Sequence, residues 1–287
     1  IEVIDVSINT NLRLLQCNNN NLKALDIANG NNVNMGLWAH SNSNLTCIQA
    51  DTNSGPPAGN VQIDSQTSFN TDCNYPTTNV PDSVFENYLE THDRDGNTVS
   101  LGDATSMGNG IANDQKVFTY RICNVTTLDV SGESIGVLTG LEDFRDLEVF
   151  GFLGGSSTIT SMDLSNNTKL KKIHSGLLSN LSTITLGNLS DLTFLQFGYD
   201  NVTSIDISRL PSLDYFNAPQ SKIVSLNTIN NPKLKVLGFT APIKHLNVSS
   251  NTLLETLGVG PDLESLNIAN GNNSNLTLSI QNNPNLT

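Results

Sequence analysis

The feature that most constrains this 287-residue chain is an apolar pattern that returns every 20 to 23 residues. In the second half, a motif of three apolar positions, LxxLxL, occurs seven times. Its middle position is occupied in turn by Leu128, Phe150, Ile173, Leu195, Phe216, Leu237 and Leu257. A single coil of this length cannot bury its apolar edge, so such coils stack and share one core. The pattern therefore predicts a solenoid.

A second alternating apolar pair follows the motif in most coils, as at Met162/Leu164, Ile184/Leu186 and Ile205/Ile207. Each coil thus carries two short strand signals. Asn and Leu together supply 78 of the 287 residues (41 and 37). Asn favours tight turns, so we expect most of the Asn residues to stabilise the turns between strands. The Asn expected after each motif is present at Asn20 but is replaced by Glu133, Asp200 and Ser221 in later coils.

The repeat is interrupted between residues 48 and 124. We therefore divide the chain into the end of a first repeat block (1–47), a closing loop (48–79), a helical cap with a turn-rich insertion (80–124), and a second block of about seven coils (125–287). Residues 28–46 resemble residues 269–287, and two coils are too few to stand alone. We expect the chain to be part of a longer protein with other domains.

The segment VPDSVFENYLE (80–90) predicts a short amphipathic helix whose first turn is closed by a capping box of Ser83 and Glu86. After it, Asp93, Asp95 and Asn97 offer oxygen ligands to calcium. An ordinary Asp-Gly turn explains the same residues. Both interpretations stay open at this stage.

Coils such as SMDLSNNTKLKKI (161–173) and LQCNNNNLKALDIANGNN (15–32) resemble the secreted leucine-rich-repeat proteins of Bacteroidetes-type bacteria, with internalin-like adhesins as broader relatives. The resemblance implies a leucine-rich-repeat solenoid: a right-handed, β-rich superhelix with strands on its concave and back faces and few helices. It also implies an extracellular or cell-surface location. The stretch from Cys47 to Cys73 resembles the closing loop of such a block. A disulfide there would staple the loop, and two buried thiols are the alternative.

Charge and motifs narrow the function. The net charge of -13 makes a nucleic-acid-binding surface improbable, and no apolar run is long enough for membrane insertion. The sequence holds no GxSxG, HExxH or Walker motif, and its four His residues stand apart. We therefore predict no catalytic residues, no cofactor other than the calcium considered above, and a non-enzymatic role.

Side chains alternate between the faces of a strand, so the positions between the motif's apolar residues point outward on the concave sheet. Stacking of coils places six of these outward residues, together with Tyr199 from the turn after one motif, in one predicted ligand-binding patch. Its members are Lys172, His174, Phe194, Gln196, Tyr199, Tyr215 and Asn217. Exposed aromatics also stabilise sheets by cross-strand pairing, which is the competing interpretation. The leading functional prediction is an adhesion module that binds a protein partner. A lectin-like module for an extracellular glycan and a structural spacer are the alternatives.

Overall fold

The computed structural model describes residues 1–103, 105–155, 158–271, 275–280 and 282–287. Short strands dominate it: β1 (Val3–Asp5), β2 (Leu14–Gln16), β3 (Ala24–Asp26), β4 (Gly36–Trp38), β5 (Cys47–Gln49), β6 (Val61–Gln62), β7 (Ser68–Asn70), β8 (Thr77–Asn79), β9 (Lys116–Phe118), β10 (Thr127–Asp129), β11 (Val149–Leu153), β12 (Ser161–Asp163), β13 (Lys172–Gly176), β14 (Thr183–Thr185), β15 (Phe194–Gln196), β16 (Tyr215–Ala218), β17 (Val236–Phe239), β18 (His245–Asn247), β19 (Thr256–Val259), β20 (Ser265–Asn267) and β21 (Thr277–Ile280). The helices are α1 (Ser83–Thr91), α2 (Thr119–Ile122) and 3-10 turns at Asn32–Asn34, Ala58–Asn60 and Leu141–Asp143.

The second block is a parallel solenoid built on an eight-stranded sheet, in the order β10-β11-β13-β15-β16-β17-β19-β21. The middle apolar position of every LxxLxL motif is buried inside it. On the opposite side, β12 pairs with β14 and β18 pairs with β20. Strand β21 adds one coil beyond the seven motifs read from the sequence. The predicted solenoid of parallel coils with few helices is confirmed.

The back strand predicted at Ile205/Ile207 does not form. Ile207 is still buried, so the coil keeps its apolar contact with the core. The backbone bonds to the next coil earlier in the turn, where the Lys222 N–H donates to Val202 O (3.0 Å) and the Val224 N–H donates to Thr203 O (3.2 Å). The burial of Ile207 and these two backbone hydrogen bonds therefore hold the coil in place without a strand ladder.

Buried asparagines join successive coils. Asn231 is fully buried, and its Nδ2 donates to Ile207 O and Leu210 O of the preceding coil, both at 2.9 Å. Asn167, in an earlier coil, makes the equivalent pair of bonds to Leu141 O and Phe144 O. Each of these carbonyls also accepts a backbone hydrogen bond within its own turn, so the amide fills its second acceptor site and joins the two coils. These asparagines are structural, as their place in the turns predicts.

The first block contains two smaller parallel sheets, β2-β4-β6 and β1-β3-β5-β7, around a core of its own. Strands β6 and β7 lie in the 48–79 segment that the sequence predicts as a closing loop. They extend both sheets because Ile63 and Phe69 pack against that core, even though the LxxLxL motif has ended. The sheets therefore continue past residue 47 to residue 70.

Helix α1 has a different cap from the one predicted. Its N-cap is Asp82, whose carboxylate accepts hydrogen bonds from the N–H groups of Val84 and Phe85 at 3.0 Å. The predicted capping box of Ser83 and Glu86 is wrong. The Glu86 side chain is buried and instead accepts from Asp114 N–H (2.9 Å) and Gln115 N–H (3.2 Å).

The loop 109–115, within the 80–124 segment, is thus tied to α1 by carboxylates. Glu90, one turn after Glu86 and also buried, accepts hydrogen bonds from the N–H groups of Asn109 (2.6 Å) and Gly110 (2.8 Å). Burial raises the pKa of Glu90, while these backbone donors oppose that rise. The helix therefore fixes the loop by polar anchors as well as by its apolar face.

Two tyrosines dock the insertion on the back of the first block. The Tyr75 hydroxyl donates to Leu25 O (2.6 Å) and accepts from Gln49 N–H (3.1 Å), which places it between β3 and β5. Tyr120 packs edge-on against Tyr75 at 5.0 Å, and its hydroxyl donates to Asp26 (3.1 Å). The segment 80–124 is therefore joined to the first block through a buried aromatic and polar contact.

Cys47 and Cys73 form a disulfide with a Cα–Cα distance of 5.6 Å. Cys17 and Cys123 are free and buried. Burial raises the pKa of the Cys17 thiol to about 11, so this side chain behaves as a small core residue. Over the described ranges, no helix is both long and apolar enough to span a bilayer.

Candidate functional site

The strand register brings six of the seven predicted patch residues into two rows across β13, β15 and β16. The rows are Lys172, Phe194 and Tyr215, then His174, Gln196 and Asn217. The sheet is parallel and in register, so residues at the same motif position lie on adjacent strands about 4.8 Å apart. We call these six residues together with Tyr199 the concave patch.

The aromatic rings of the concave patch stack along the sheet. The Phe194 and Tyr215 rings are 4.4 Å apart between centroids and inclined by only 7°. Lys172 Nζ lies 4.9 Å from the Phe194 centroid, and His174 meets the same ring edge-on at 6.3 Å. One face of Phe194 therefore lies against Tyr215, and Lys172 and His174 crowd the ring from the neighbouring strand. Both side chains are half-buried.

Tyr199 occupies the turn after β15, where the backbone is left-handed. The residue two positions after the end of the motif has positive φ in five successive coils: Gly132, Gly154, Leu177, Tyr199 and Gln220. Side chains other than Gly cost about 1 kcal/mol or more in this conformation. Leu177 is 56% exposed and Tyr199 is 46% exposed. The chain thus holds two large apolar side chains, in strained turns, at the margin of the patch.

The same coils contain buried polar atoms without partners within the described structure: Ser175 Oγ, Asp200 Oδ2 and Ser221 Oγ. Each such atom costs roughly 1–3 kcal/mol of stability. In the first block, Asn42 occupies the position equivalent to Asp200, and its Nδ2 donates to Cys17 O (3.0 Å) and Ala39 O (2.9 Å). A carboxylate cannot make those donations. The coils under the patch are therefore less well satisfied than those of the first block.

Asp200 gives a testable pH dependence. Burial raises the pKa of Asp200 to about 6, while the Val202 N–H, donating at 3.0 Å, opposes the rise. Because the folded pKa lies above the unfolded value, the folded state loses stability as the pH rises from about 4 to about 6, and the full penalty is present above pH 6. We expect Asp200→Asn to stabilise the chain by roughly 2 kcal/mol at pH 7 and to give no difference below about pH 4. Urea unfolding of variant and parent at several pH values measures this.

The control is Asp206→Asn. Asp206 lies further along the same coil and is exposed, and hydrogen bonds from Ser208 lower its pKa. That substitution should give a change of less than about 0.5 kcal/mol with no gain at neutral pH. Equal stability of parent and Asp200→Asn across the whole pH range would show that Asp200 is not a strained buried carboxyl.

The concave patch is nearly free of formal charge, although the chain has a net charge of -13. Lys172 is its single charged side chain. At the strand entrances beside it, opposite charges pair with each other, as in Lys171 with Glu148 at 2.7 Å. The patch itself contains no acidic side chain, and it suits an uncharged, partly apolar ligand surface.

The residues proposed for calcium are engaged in a turn. Asp93 Oδ1 accepts hydrogen bonds from Asp95 N–H (3.0 Å) and Asn97 N–H (2.8 Å), and Asn97 Nδ2 donates to Asp93 Oδ2 (3.0 Å). Among the residues that the structure describes, no group of three His, Cys, Asp or Glu side chains is placed to hold a metal ion. The Asp-Gly turn accounts for this segment, and calcium at Asp93, Asp95 and Asn97 stays a prediction.

Comparison with known proteins identifies the fold of the chain but no family. No family model matches the chain, and no curated protein matches it. Among solved structures, it is similar to the functional domain of InlJ from Listeria monocytogenes, described as including a cysteine ladder, with 21% identity and a TM-score of 0.54. The fold is a leucine-rich-repeat solenoid. The match covers 72% of this chain but only 43% of the InlJ chain. A leucine-rich-repeat protein of Leptospira interrogans is also similar over 98% of this chain, with 16% identity and a TM-score of 0.37.

Proposed function

We propose that this leucine-rich-repeat chain is a non-enzymatic recognition module that binds a protein partner through the concave patch. The observation that carries the proposal is the ordered stack of Lys172, Phe194 and Tyr215 in the middle of an exposed, almost uncharged sheet. Aromatic side chains held rigidly at the centre of a surface are the usual anchors of protein interfaces. Leucine-rich-repeat folds are interaction folds in general, but the fold alone assigns no partner.

The strain under the patch supports a binding role over plain sheet stabilisation. A stacked aromatic pair by itself stabilises the sheet by about 0.5–1.5 kcal/mol. The same coils give up a comparable amount through left-handed Leu177 and Tyr199 and through the unpaired Asp200 oxygen. Strain and unsatisfied polar groups gather where function demands them. A spacer would have no need of either, so the spacer interpretation has less support.

The ring geometry favours a protein over a glycan at this patch. A sugar ring stacks on an open aromatic face, but Phe194 and Tyr215 turn one face to each other and Lys172 lies close to Phe194. Stacked rings beside the amides of Gln196 and Asn217 suit the mixed apolar and polar surface of a protein. The lectin-like interpretation of these aromatics is therefore the weaker one.

We further propose an extracellular or cell-surface location for the protein. The disulfide between Cys47 and Cys73 supports it, because such bonds persist in oxidising compartments and are rare in the cytosol. The acidic surface is compatible with it and unsuited to nucleic acid.

The test is to probe paired arrays of extracellular proteins and of glycans with the parent and with Phe194→Ala/Tyr215→Ala. We expect saturable binding of the parent to a protein, weakened by roughly 100-fold or more in the double variant because two anchors are lost. The affinity should change little with salt, since Lys172 is the only charged group of the patch.

The matched control is Val224→Ala/Ile229→Ala, which removes two equally apolar, exposed side chains outside the eight-stranded sheet. It should bind as the parent does. Binding to glycans alone, lost in the Phe194→Ala/Tyr215→Ala variant, would transfer the function to the lectin-like alternative. Binding unaffected by that variant, or absent from both arrays, would remove the proposal.

A further inference from the structure

The concave sheet of the first block carries the only tryptophan of the chain at its centre. Trp38 ends β4 and is 38% exposed. In register with it lie Gln16 on β2 and Gln62 on β6, both exposed. The three strands are parallel neighbours, so an indole ring stands between two amide side chains about 4.8 Å to either side.

The indole of Trp38 is uncovered by other rings or cations. Within the described chain, neither an aromatic stacking nor a cation–π contact involves Trp38, and its indole N–H makes no hydrogen bond there. This differs from Phe194, which is stacked on Tyr215. One step back on the same strand and face is Gly36, and Leu14 leans over it, with its Cδ1 3.1 Å from the place where a Cβ would lie. The partly exposed Trp38 ring thus lies near the apolar side chain of Leu14, with no other aromatic ring or cation of the described chain against it.

The outward side chains of this surface carry no charge, although the chain as a whole is acidic. The outward side chains of the three strands are Leu14, Gln16, Trp38 and Gln62, with Gly36 between them. Asp64, the nearest acidic residue after β6, is occupied by the N–H groups of Ser41 and Asn42, both at 2.8 Å. A ligand for this surface therefore needs apolar C–H groups and neutral hydrogen-bonding groups rather than charge.

The size of this surface favours a small ligand over a protein partner. Three strands at about 4.8 Å spacing give a sheet roughly 10 Å wide, and two or three residues per strand give a similar length. This is on the order of 100 Å², against about 800 Å² per partner in a stable protein interface. One or two six-membered rings fill such a space.

We propose that this surface is a second, separate binding site, for a neutral saccharide. A pyranose ring would lay its C–H face on the Trp38 indole, as apolar groups do on aromatic faces. Gln16 and Gln62 would bond its hydroxyls, because each amide offers both donors and an acceptor. The site lies in the first block and does not depend on the concave patch of the second.

The test uses the chain's own fluorophore, since Trp38 is the only tryptophan. The fluorescence of Trp38 is excited at a wavelength too long for tyrosine to absorb. It is followed while neutral hexasaccharides of glucose, mannose, xylose and N-acetylglucosamine are titrated. We expect one of these to shift the emission and to protect the indole from acrylamide quenching. Calorimetry with Trp38→Ala should show at least roughly tenfold weaker binding, and Gln16→Ala/Gln62→Ala a similar loss.

Two comparisons keep the outcome decisive. Phe194→Ala/Tyr215→Ala should bind the saccharide as the parent does, so failure of the protein-binding proposal leaves this one standing. Gln16→Ala/Gln62→Ala retains the fluorophore and alters only exposed side chains, so its folding is checked by the same emission. Absence of binding to every saccharide, binding that survives Trp38→Ala, or a response to a proline-rich peptide in place of the sugars would overturn the proposal.

Discussion

Asn251→Ala should destabilise the second block by about 4 kcal/mol, the largest effect that we expect from a single substitution. Asn251 is fully buried. Its Nδ2 donates to Thr228 O (3.1 Å) and Asn231 O (2.9 Å), and its Oδ1 accepts from Thr228 Oγ1 (2.7 Å). Truncation removes these three buried hydrogen bonds, each worth roughly 0.5–1.5 kcal/mol, and leaves a cavity in the core that adds to the loss. Urea unfolding followed by circular dichroism measures the loss.

The control is Asn230→Ala, in the neighbouring coil. Asn230 is exposed and makes one bond, from its Nδ2 to Ser208 O at 3.2 Å. Its removal should change the free energy of unfolding by less than about 0.5 kcal/mol. Similar losses in the two variants would mean that buried asparagines do not hold the coils together.

The second large effect concerns the first block. Cys47→Ser/Cys73→Ser should lower its stability by about 3.5 kcal/mol, because the bond closes a loop of 26 residues and restricts the unfolded chain. Trp38 lies in this block, so its fluorescence during urea unfolding reports the block selectively.

Reduction supplies the control for the disulfide. Dithiothreitol should shift the unfolding midpoint of the parent to that of the Cys47→Ser/Cys73→Ser variant, and should leave the variant itself unchanged. A parent whose midpoint is indifferent to reductant would show that the bond does not stabilise the block.

The solenoid and the rows of the concave patch could be predicted from the sequence because both depend on one regular rule. Coils of nearly constant length stack in register, and alternation along each strand then decides which side chains face outward. Phe194 beside Tyr215 and His174 beside Gln196 follow from counting alone, and the observed register agrees. The inclination of the rings depends on packing and could not be counted.

Contacts between distant residues account for the differences from prediction. Asp82 and Ser83 are both ordinary N-cap residues, but Asp82 also accepts from the N–H of Gly136, 54 residues away, and this contact fixes the cap. Tyr75 reaches Leu25 across 50 residues, and Tyr120 reaches Asp26 across 94. No local pattern contains such pairs.

Two further features of the structure have a signal in the sequence. Asp200 appears as a departure from the Asn pattern, and its burial makes it a strained carboxyl. Trp38 sits at an outward strand position of the first block, where the same alternation that located the patch predicts an exposed ring.

The most direct test of the central claim is hydroxyl-radical footprinting of the chain alone and in complex with the protein partner identified on the array. The method reads solvent access side chain by side chain. Binding through the concave patch predicts several-fold protection of Phe194, Tyr199 and Tyr215, with the oxidation of Trp38 and Ile229 unchanged. Protection confined to Ile229 and the back of the solenoid, with the three patch aromatics as reactive as in the free chain, would contradict it.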